Sequence, residues 1–585
     1  MAYRKLISEN MKIEFNLTIT ASDGNPLSAN LYRPIDEGKY PVILSYGIYA
    51  KDLFFPDIYF TQWEKIQKDF PEINVGSTNK HQAWEVVDPE RWVPNGYAVL
   101  RVDSRGAGGS PGYLDGYQKR ETRDMYECIE WAAAQPWCSG KVGILGISYY
   151  ICSGWNVAEL QPPHLAAFIA WEGNSDYYRD NTRHGGILQT GVKSWMEKQV
   201  LPVQYGRGIY GFKSKASGMN VSGDETLTDL ELAQNRADHF NDLVVHEMDD
   251  EWFRNHTATD LSKITVPLLS AGNWGGNAMH VRGNIEGYLR ANSKEKFLEM
   301  HGKEHWATFY SEYGYNIQKQ FFDCYLKGEE SGWANRKSKI QLQIRHVGEK
   351  FVERWEDEFP LARTRYTEYY LNPETHTLST TPYDGPVTSI TYRGFSDGVT
   401  FITEPLEEEL EITGYLRSRL FVSSSTVDAD MFLIFRLFTP DFTEVAFNGA
   451  SDPNTPIAQG WLRASHRKTD PAKSTPYRPW HTHDEKQPLV PGKPYELDIE
   501  IWPTCIVVPK GYRMALSIRG KDYVNATAAD GHIRASNSLK PLTGNGGMVH
   551  DHPFDRPPEI FDGDVTLHFG PDQKNFVRLP IIPEK

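Results

Sequence analysis

Six stretches of this 585-residue chain are apolar almost without a break, each bounded by glycine, proline or a polar turn: YPVILSYG (40–47), YAVLRVDSRG (97–106), KVGILGIS (141–148), HLAAFIAWEG (164–173), TVPLLSAGNWGG (265–276) and KFLEMHG (296–302). A strand with one wet face alternates apolar and polar residues. A strand that is apolar throughout must be covered on both faces, the situation of a parallel sheet flanked by helices. A helical stretch from Glu121 to Gln135 separates the second and third runs, and ICSGWNVAEL follows the third. Strands alternating with helices predict a doubly wound α/β sheet. Ahead of it, the runs around Lys12–Ile19 and LSANLY flank the turn Ser22-Asp23-Gly24-Asn25-Pro26 and read as an antiparallel edge hairpin.

Residues 177–260 interrupt this rhythm. They are polar, with helix-like pieces such as LTDLELAQNRADHFNDLVVH, and read as a helical cap inserted between sheet strands, over their carboxyl ends. Beyond Gly328–Gly332 short strands recur with Gly, Pro and Asp turns up to Pro583, as expected of an all-β sandwich or jelly roll. The expected organisation is a catalytic domain at 1–335, with the cap at 177–260 inside it, and a jelly-roll β-sandwich domain at 336–585.

The charge balance (62 Lys and Arg against 77 Asp and Glu, net −15) disfavours a nucleic-acid or anionic-membrane partner. No apolar run reaches the length of a membrane helix, and the N-terminus lacks a signal-peptide core. Five scattered cysteines (128, 138, 152, 324 and 505) offer neither a disulfide framework nor a zinc spacing. These features predict a cytoplasmic enzyme without metal or cofactor. A homo-oligomer is compatible with them.

The sharpest chemical signal is Gly146-Ile147-Ser148-Tyr149-Tyr150. A buried strand runs into it and a helix follows, the context in which a tight turn presents a nucleophilic serine. Tyr150 stands where a second glycine is usual, so a serine that only caps the helix is the plainer alternative. At the elbow, the backbone N–H of Tyr149 can bind an oxyanion.

On these and other stretches the chain resembles the cocaine-esterase / X-Pro dipeptidyl-peptidase family of serine hydrolases. The matching segments are DGNPLSANLYRP (23–34), YGIYAKD (46–52), VDSRGAGGSPG (102–112), IEWAAAQPWCSGKVGILGISYY (129–150) and PGKPYELDIEIWPTCIVVPKGYRMALSI (491–518). The resemblance implies an α/β-hydrolase domain with a helical cap and a C-terminal jelly roll. It implies Ser148 as nucleophile and Tyr49 as an oxyanion donor beside the Tyr149 N–H, with Tyr46 packing the strand end. It also implies His305 as base, His301 nearer the strand end being structural.

The acid departs from the family pattern. The family places an aspartate in a turn that here reads Gly272-Asn273-Trp274-Gly275-Gly276, with Gly275 at the acid's position. Asn273 cannot supply the missing charge. The neighbouring strand, LAAFIAWEG, ends at Glu172, which gives a Ser148–His305–Glu172 triad; Asp176 and Asp180 compete for the role, and Glu172 could instead pair with Arg179.

Trp155, Trp195 and Trp252 are candidates for an acyl pocket, with core packing the alternative for Trp155. An Asp103–Arg105 ion pair is expected to fix the glycine loop that follows. The acidic run 247–251 could hold a substrate ammonium or be a solvated helix end. The His481/His483 and His550/His552 pairs lack the companions of a metal site. The expected activity is hydrolysis of a small-molecule ester or amide through an acyl-enzyme. An acyltransferase or cyclising enzyme on the same scaffold, a non-catalytic ligand-binding relative and a carbohydrate-binding β domain are the alternatives.

Overall fold

The catalytic sheet grows from strands whose apolar residues point both ways. In the computed structural model, which describes residues 3–8, 10–215, 217–525 and 544–583, the N-terminal strands are β1 (Arg4–Ile7), β2 (Lys12–Thr20), β3 (Pro26–Arg33), β4 (Tyr40–Gly47), β5 (Ala98–Asp103), β6 (Cys138–Ile147) and β7 (Leu165–Trp171). A hairpin of two-residue strands, β8 (Arg183–His184) and β9 (Ile187–Leu188), lies in the insertion; β10 (Leu268–Asn273), β11 (Lys296–His301) and β12 (Ile340–His346) follow. β1, β2 and β3 pair antiparallel, and β3 joins β5 antiparallel. From β5 the sheet runs parallel through β4, β6, β7, β10 and β11.

Both faces of this sheet are buried, each under its own apolar cluster. One contains Ile43, Leu145, Ile169 and Trp171; the other contains Leu44, Ile144, Phe168 and Trp155. This is the physical content of the uninterrupted apolar runs. The helices Lys119–Ala133 and Tyr149–Glu159 cover one side. Between β7 and β10 the insertion forms short helices, among them Asp229–Gln234, His239–Val245 and Glu251–Arg254.

The C-terminal half is a β domain with its own apolar core around Leu416, Leu433, Ile499 and Leu516. Strand Leu410–Ser424 pairs antiparallel with Tyr495–Val508 and Phe576–Ile582, and Asp430–Phe438 pairs with Ala458–Arg463 and Arg513–Arg519. β12 connects the two halves: it pairs in parallel with β11, forms a hairpin with Lys350–Glu356 and bridges once to Tyr495–Val508. A shared cluster, including Trp274, Leu298, Ile340, Trp461 and Trp502, seals the junction. Among the described residues, no helix is long and apolar enough to cross a membrane.

The expected Asp103–Arg105 ion pair is not formed. Asp103 accepts from the backbone N–H groups of Lys51 and Gly109 and faces the buried Lys51 ammonium at 3.3 Å, whereas Arg105 pairs with Asp124 and Asp23. A carboxylate buried below the loop takes the cation buried with it, and the guanidinium reaches outward to the helix.

Candidate active site

β6 delivers Ser148 into a turn that only a strained backbone can make. Its φ of 55° and ψ of −117° put a non-glycine residue in left-handed territory, a strain that persists when the surroundings over-determine it. Here they do. The Ser148 N–H donates to the Glu172 carbonyl at 3.0 Å, and the Ile147 N–H donates to the Glu85 carbonyl at 2.9 Å.

Tyr150 takes the usual glycine position because glycines elsewhere leave room for it. A Cβ on Gly47 would lie 2.4 Å from the Tyr150 ring, and one on Gly146 would lie 2.7 Å from its Cβ. Ser148 heads the helix Tyr149–Glu159, so the Tyr149 N–H has no carbonyl partner one turn earlier within that helix. The Tyr149 phenol is held below, donating to Glu121 at 2.6 Å.

Ser148 opens into a cavity of about 540 Å³ whose walls include Tyr49, Tyr59, Trp84, Trp195 and Trp306. The β domain completes it with Ala450, Ser451, Gly547 and Met548. Tyr49 is buried, which keeps its phenol protonated well above the usual range. Its oxygen accepts from Trp195 Nε1 at 2.9 Å, leaving the O–H to donate elsewhere. Tyr46 is packed in the core under the sheet.

One histidine touches the serine and a second lines the same cavity beside it. His280 Nε2 lies 3.1 Å from Ser148 Oγ, and its ring stacks on His305 with centroids 5.3 Å apart. His305 Nδ1 lies 2.7 Å from Glu172 Oε2, and its Nε2 lies 3.2 Å from Glu85 Oε1. His301 joins the same carboxylate: its Nε2 is 2.8 Å from Glu172 Oε1, and its Nδ1 is 2.7 Å from Glu299 Oε2. A buried chain therefore runs Glu299–His301–Glu172–His305–Glu85.

Charge follows from this arrangement. Burial opposes ionisation of Glu172, but the His305 and His301 imidazoliums outweigh it and hold its pKa near 2. Burial likewise opposes charge on the histidines. The carboxylates overcome it, raising His305 to about 10 through Glu172 and Glu85, and His301 to about 9 through Glu299 and Glu172. Among the described residues no carboxylate contacts His280: burial first, then the His305 charge, lower it to about 3 against the pull of Glu172, so it is neutral. Glu85 is raised by burial, with His305 acting against it.

The competing acids are engaged elsewhere. Asp176 pairs with Arg179 at 2.9 Å and Asp180 with Arg282 at 2.7 Å; Arg179 also takes Asp249, so it does not reach for Glu172. Asn273 Nδ2 donates to the Lys303 carbonyl at 2.7 Å and its Oδ1 accepts from the Gly275 N–H, which makes it a brace of the turn. Gly275 has no room for an acid: a Cβ there would lie 2.5 Å from Gly449 Cα, because the β-domain loop rests on this turn and the Ala450 N–H donates to the Gly275 carbonyl.

Of the three tryptophans, only Trp195 lines the cavity. Trp155 is a correction: it is fully buried on the opposite side of the sheet, edge-on to Phe168 and beneath Gly287. Trp252 also lies away from the cavity, stacked on His256 with centroids 3.9 Å apart. The acidic run 247–251 is consumed in the cap, with Asp249 on Arg179 and Asp250 capping Trp252 and facing His246. Sequence reasoning missed His280 and Glu85. His280 stands just after β10, before helix Val281–Arg290, at the carboxyl edge where such sheets carry their sites; that placement was the available signal.

Comparison with known proteins agrees with this architecture. Residues 23–307 match the family model of X-Pro dipeptidyl-peptidase (S15 family), and residues 331–573 match the X-Pro dipeptidyl-peptidase C-terminal non-catalytic domain. Cocaine esterase of Rhodococcus sp. (strain MB1 Bresler) is 24% identical, the alignment covering 99% of this chain and all of the relative. A crystal structure of a CocE/NonD family hydrolase from Staphylococcus aureus superposes with a TM-score of 0.82 at 28% identity, covering 99% of this chain and 97% of that one. An α-amino acid ester hydrolase shares the fold, with a TM-score of 0.64 at 14% identity over 99% of this chain and 96% of that one. With an α/β-hydrolase domain, a C-terminal β domain and both family models matched in order, the chain belongs to the CocE/NonD, X-Pro dipeptidyl-peptidase family of serine hydrolases.

Proposed function

We propose that this chain cleaves a carboxylic ester or amide through an acyl-enzyme on Ser148. The observation that carries the reading is the meeting, in one cavity, of a serine on a strained elbow and an imidazole anchored to a buried carboxylate. Ser148 Oγ attacks the substrate carbonyl carbon, and His305 Nε2 accepts its proton. The tetrahedral oxyanion takes hydrogen bonds from the Tyr49 O–H and the Tyr149 N–H. His305 then protonates the leaving oxygen or nitrogen as its bond to carbon breaks. Water, deprotonated by the same imidazole, attacks the acyl carbon and releases the acid and Ser148. Glu172 holds the ring through Nδ1 and stabilises its charged form.

In the resting arrangement the His305 Nε2 proton is held by Glu85, and His280 holds the serine hydroxyl. The reading therefore requires Glu85 to release Nε2 when substrate enters. The 3.1 Å contact favours a second reading, in which His280 takes the serine proton directly. Its low basicity weighs against it, as does its Nδ1, which has no hydrogen-bond partner among the described residues. The aromatic walls suit a substrate with an apolar or aromatic acyl or leaving group. The β domain, read as a jelly roll, closes the cavity rather than acting by itself. All five cysteines are unpaired, in keeping with a cytoplasmic enzyme.

The test is intact-protein and peptide mass spectrometry after a slow ester or a fluorophosphonate. We expect one adduct, on Ser148, absent from Ser148→Ala. Turnover that survives in Ser148→Ala, or an adduct elsewhere, overturns the proposal. His305→Asn should slow acylation by ~10²–10⁴, the range of general-base catalysis, and His280→Asn by much less; the reverse order favours the second reading. Product analysis with an added amine or alcohol separates hydrolysis from acyl transfer.

A further inference from the structure

A second cluster of ligating side chains lies where the cap meets the body, on the far side of Tyr177 from the cavity that Tyr177 helps to line. Asp115 comes from the loop between β5 and the helix Lys119–Ala133; His239 opens the cap helix His239–Val245, and His256 follows the helix Glu251–Arg254. We propose that Asp115, His239 and His256 bind a divalent transition-metal ion of the zinc type, which clamps the cap to the catalytic body.

The geometry points to a metal rather than to a simple ion-pair network. Asp115 Oδ1 lies 3.3 Å from His256 Nε2 and 3.9 Å from His239 Nδ1, and the three ligand atoms all lie within 4.8 Å of one another. Two ligands bound to tetrahedral zinc at ~2.0–2.1 Å sit about 3.3 Å apart, so the cluster is near the spacing the ion needs. Each imidazole is also oriented through its other nitrogen. His239 Nε2 contacts Tyr177 Oη at 2.7 Å, and His256 Nδ1 contacts the Trp252 carbonyl at 2.6 Å. A carbonyl can only accept, so His256 keeps its proton on Nδ1; a metal at Nε2 would take the place of the proton that Nε2 otherwise donates to Asp115. Such outer partners fix the tautomer and aim of metal-binding histidines.

His239 supplies an independent sign. Its side chain is 2% exposed, yet Nδ1 has no hydrogen-bond partner among the described residues, although it is aimed at Asp115. Asp115 keeps 23% of its side chain exposed, which leaves an entry path and room for a water as fourth ligand. Two histidine nitrogens and one carboxylate oxygen suit Zn²⁺ better than Ca²⁺ or Mg²⁺, which favour all-oxygen sets. The three residues come from distant segments, so no sequence spacing announces the site.

The experiment uses tag-free full-length protein, treated with a chelator, dialysed and titrated with zinc chloride by calorimetry and thermal unfolding. We expect one Zn²⁺ per chain and an unfolding temperature that rises with zinc concentration. His239→Ala and His256→Ala should each weaken binding by about 100-fold or more, beyond the ~10–100-fold that losing an outer partner costs. Asp115→Asn, partly exposed and nearly isosteric, keeps the test valid if a histidine variant fails to fold, and should also weaken binding and lose the temperature shift. His164→Ala, which removes an exposed surface histidine, should change neither. Absence of a one-to-one isotherm overturns the proposal, as does binding that Asp115→Asn leaves unchanged.

Discussion

Glu172→Gln is the most informative perturbation, because the carboxylate serves two histidines at once. Glu172 Oε1 faces His301 and Oε2 faces His305. An amide keeps one acceptor and gains one donor, so one imidazole must now present a lone pair. His301 can do so at little cost: with its proton on Nδ1 it still donates to Glu299, and its Nε2 accepts from the new NH₂. The amide oxygen then stays on His305 Nδ1, and His305 keeps the tautomer that catalysis needs.

What the variant loses is charge. The fall of Glu172 from 4.5 to about 2 corresponds to about 3 kcal/mol at ~1.4 kcal/mol per unit. Because the folded value is the lower one, this stabilisation is fully present above 4.5 and disappears as the pH falls towards 2. The same loss applied to the transition-state imidazolium predicts a fall in kcat of about 10²-fold, smaller than the ~10⁴-fold of a triad whose amide substitution forces the wrong tautomer. Glu172→Leu, which removes the acceptor as well, should fall further, by ~10³–10⁴. The assay is steady-state hydrolysis of a short-chain p-nitrophenyl ester, with Ser148→Ala as the dead reference and Asp176→Asn as the control expected near wild type. A Glu172→Leu enzyme within a few-fold of wild type would refute the reasoning, and a collapse in Asp176→Asn would move the acid to that residue.

Four further outcomes are expected. His305 must be neutral to accept a proton, and the Glu85 carboxylate favours its charged form; Glu85→Gln should therefore move the rising limb of the kcat/KM–pH profile to lower pH, whereas an unshifted limb would separate Glu85 from the base. Tyr49→Phe should lower kcat by ~10²–10³, the cost of losing one oxyanion donor, while Trp195→Phe, which leaves that O–H in place, should act mainly on KM. Gly275→Ala forces a Cβ against the Gly449 backbone and should cost about 1–3 kcal/mol in thermal unfolding, as overpacking does; unchanged stability would mean that the β-domain loop yields freely. Trp155→Ala should cost about 3–5 kcal/mol of stability and leave the KM of the folded fraction unchanged, whereas a changed KM would return Trp155 to the substrate.

Local features were legible in the chain because their causes are local. The uninterrupted apolar runs became strands covered on both faces, and Gly146-Ile147-Ser148 became a strand-to-helix turn, since both need only neighbours in sequence. That Glu172 lies within reach of His305 also follows from strand order, because β7 and β10 are adjacent and His305 follows β11 beside them. Trp155 could not be placed the same way: its hydrophobicity calls for burial but does not say on which side of the sheet. His280 carries no motif, and its contact with Ser148 joins positions 132 residues apart.

The sequence by itself determined the layered sheet, the strand-to-helix turn at Ser148 and the absence of an acid at Gly275, for these depend on residue type and short-range order. Only the tertiary structure decided why that acid is absent, with the β-domain loop at Gly449 filling its space. It also decided that one buried carboxylate serves both His301 and His305, that a neutral histidine rather than the charged one touches the serine at rest, and that Asp115 meets two cap histidines. Each of these is a contact between distant segments, and its energy depends on burial and on neighbouring charge, which the order of residues along the chain does not specify.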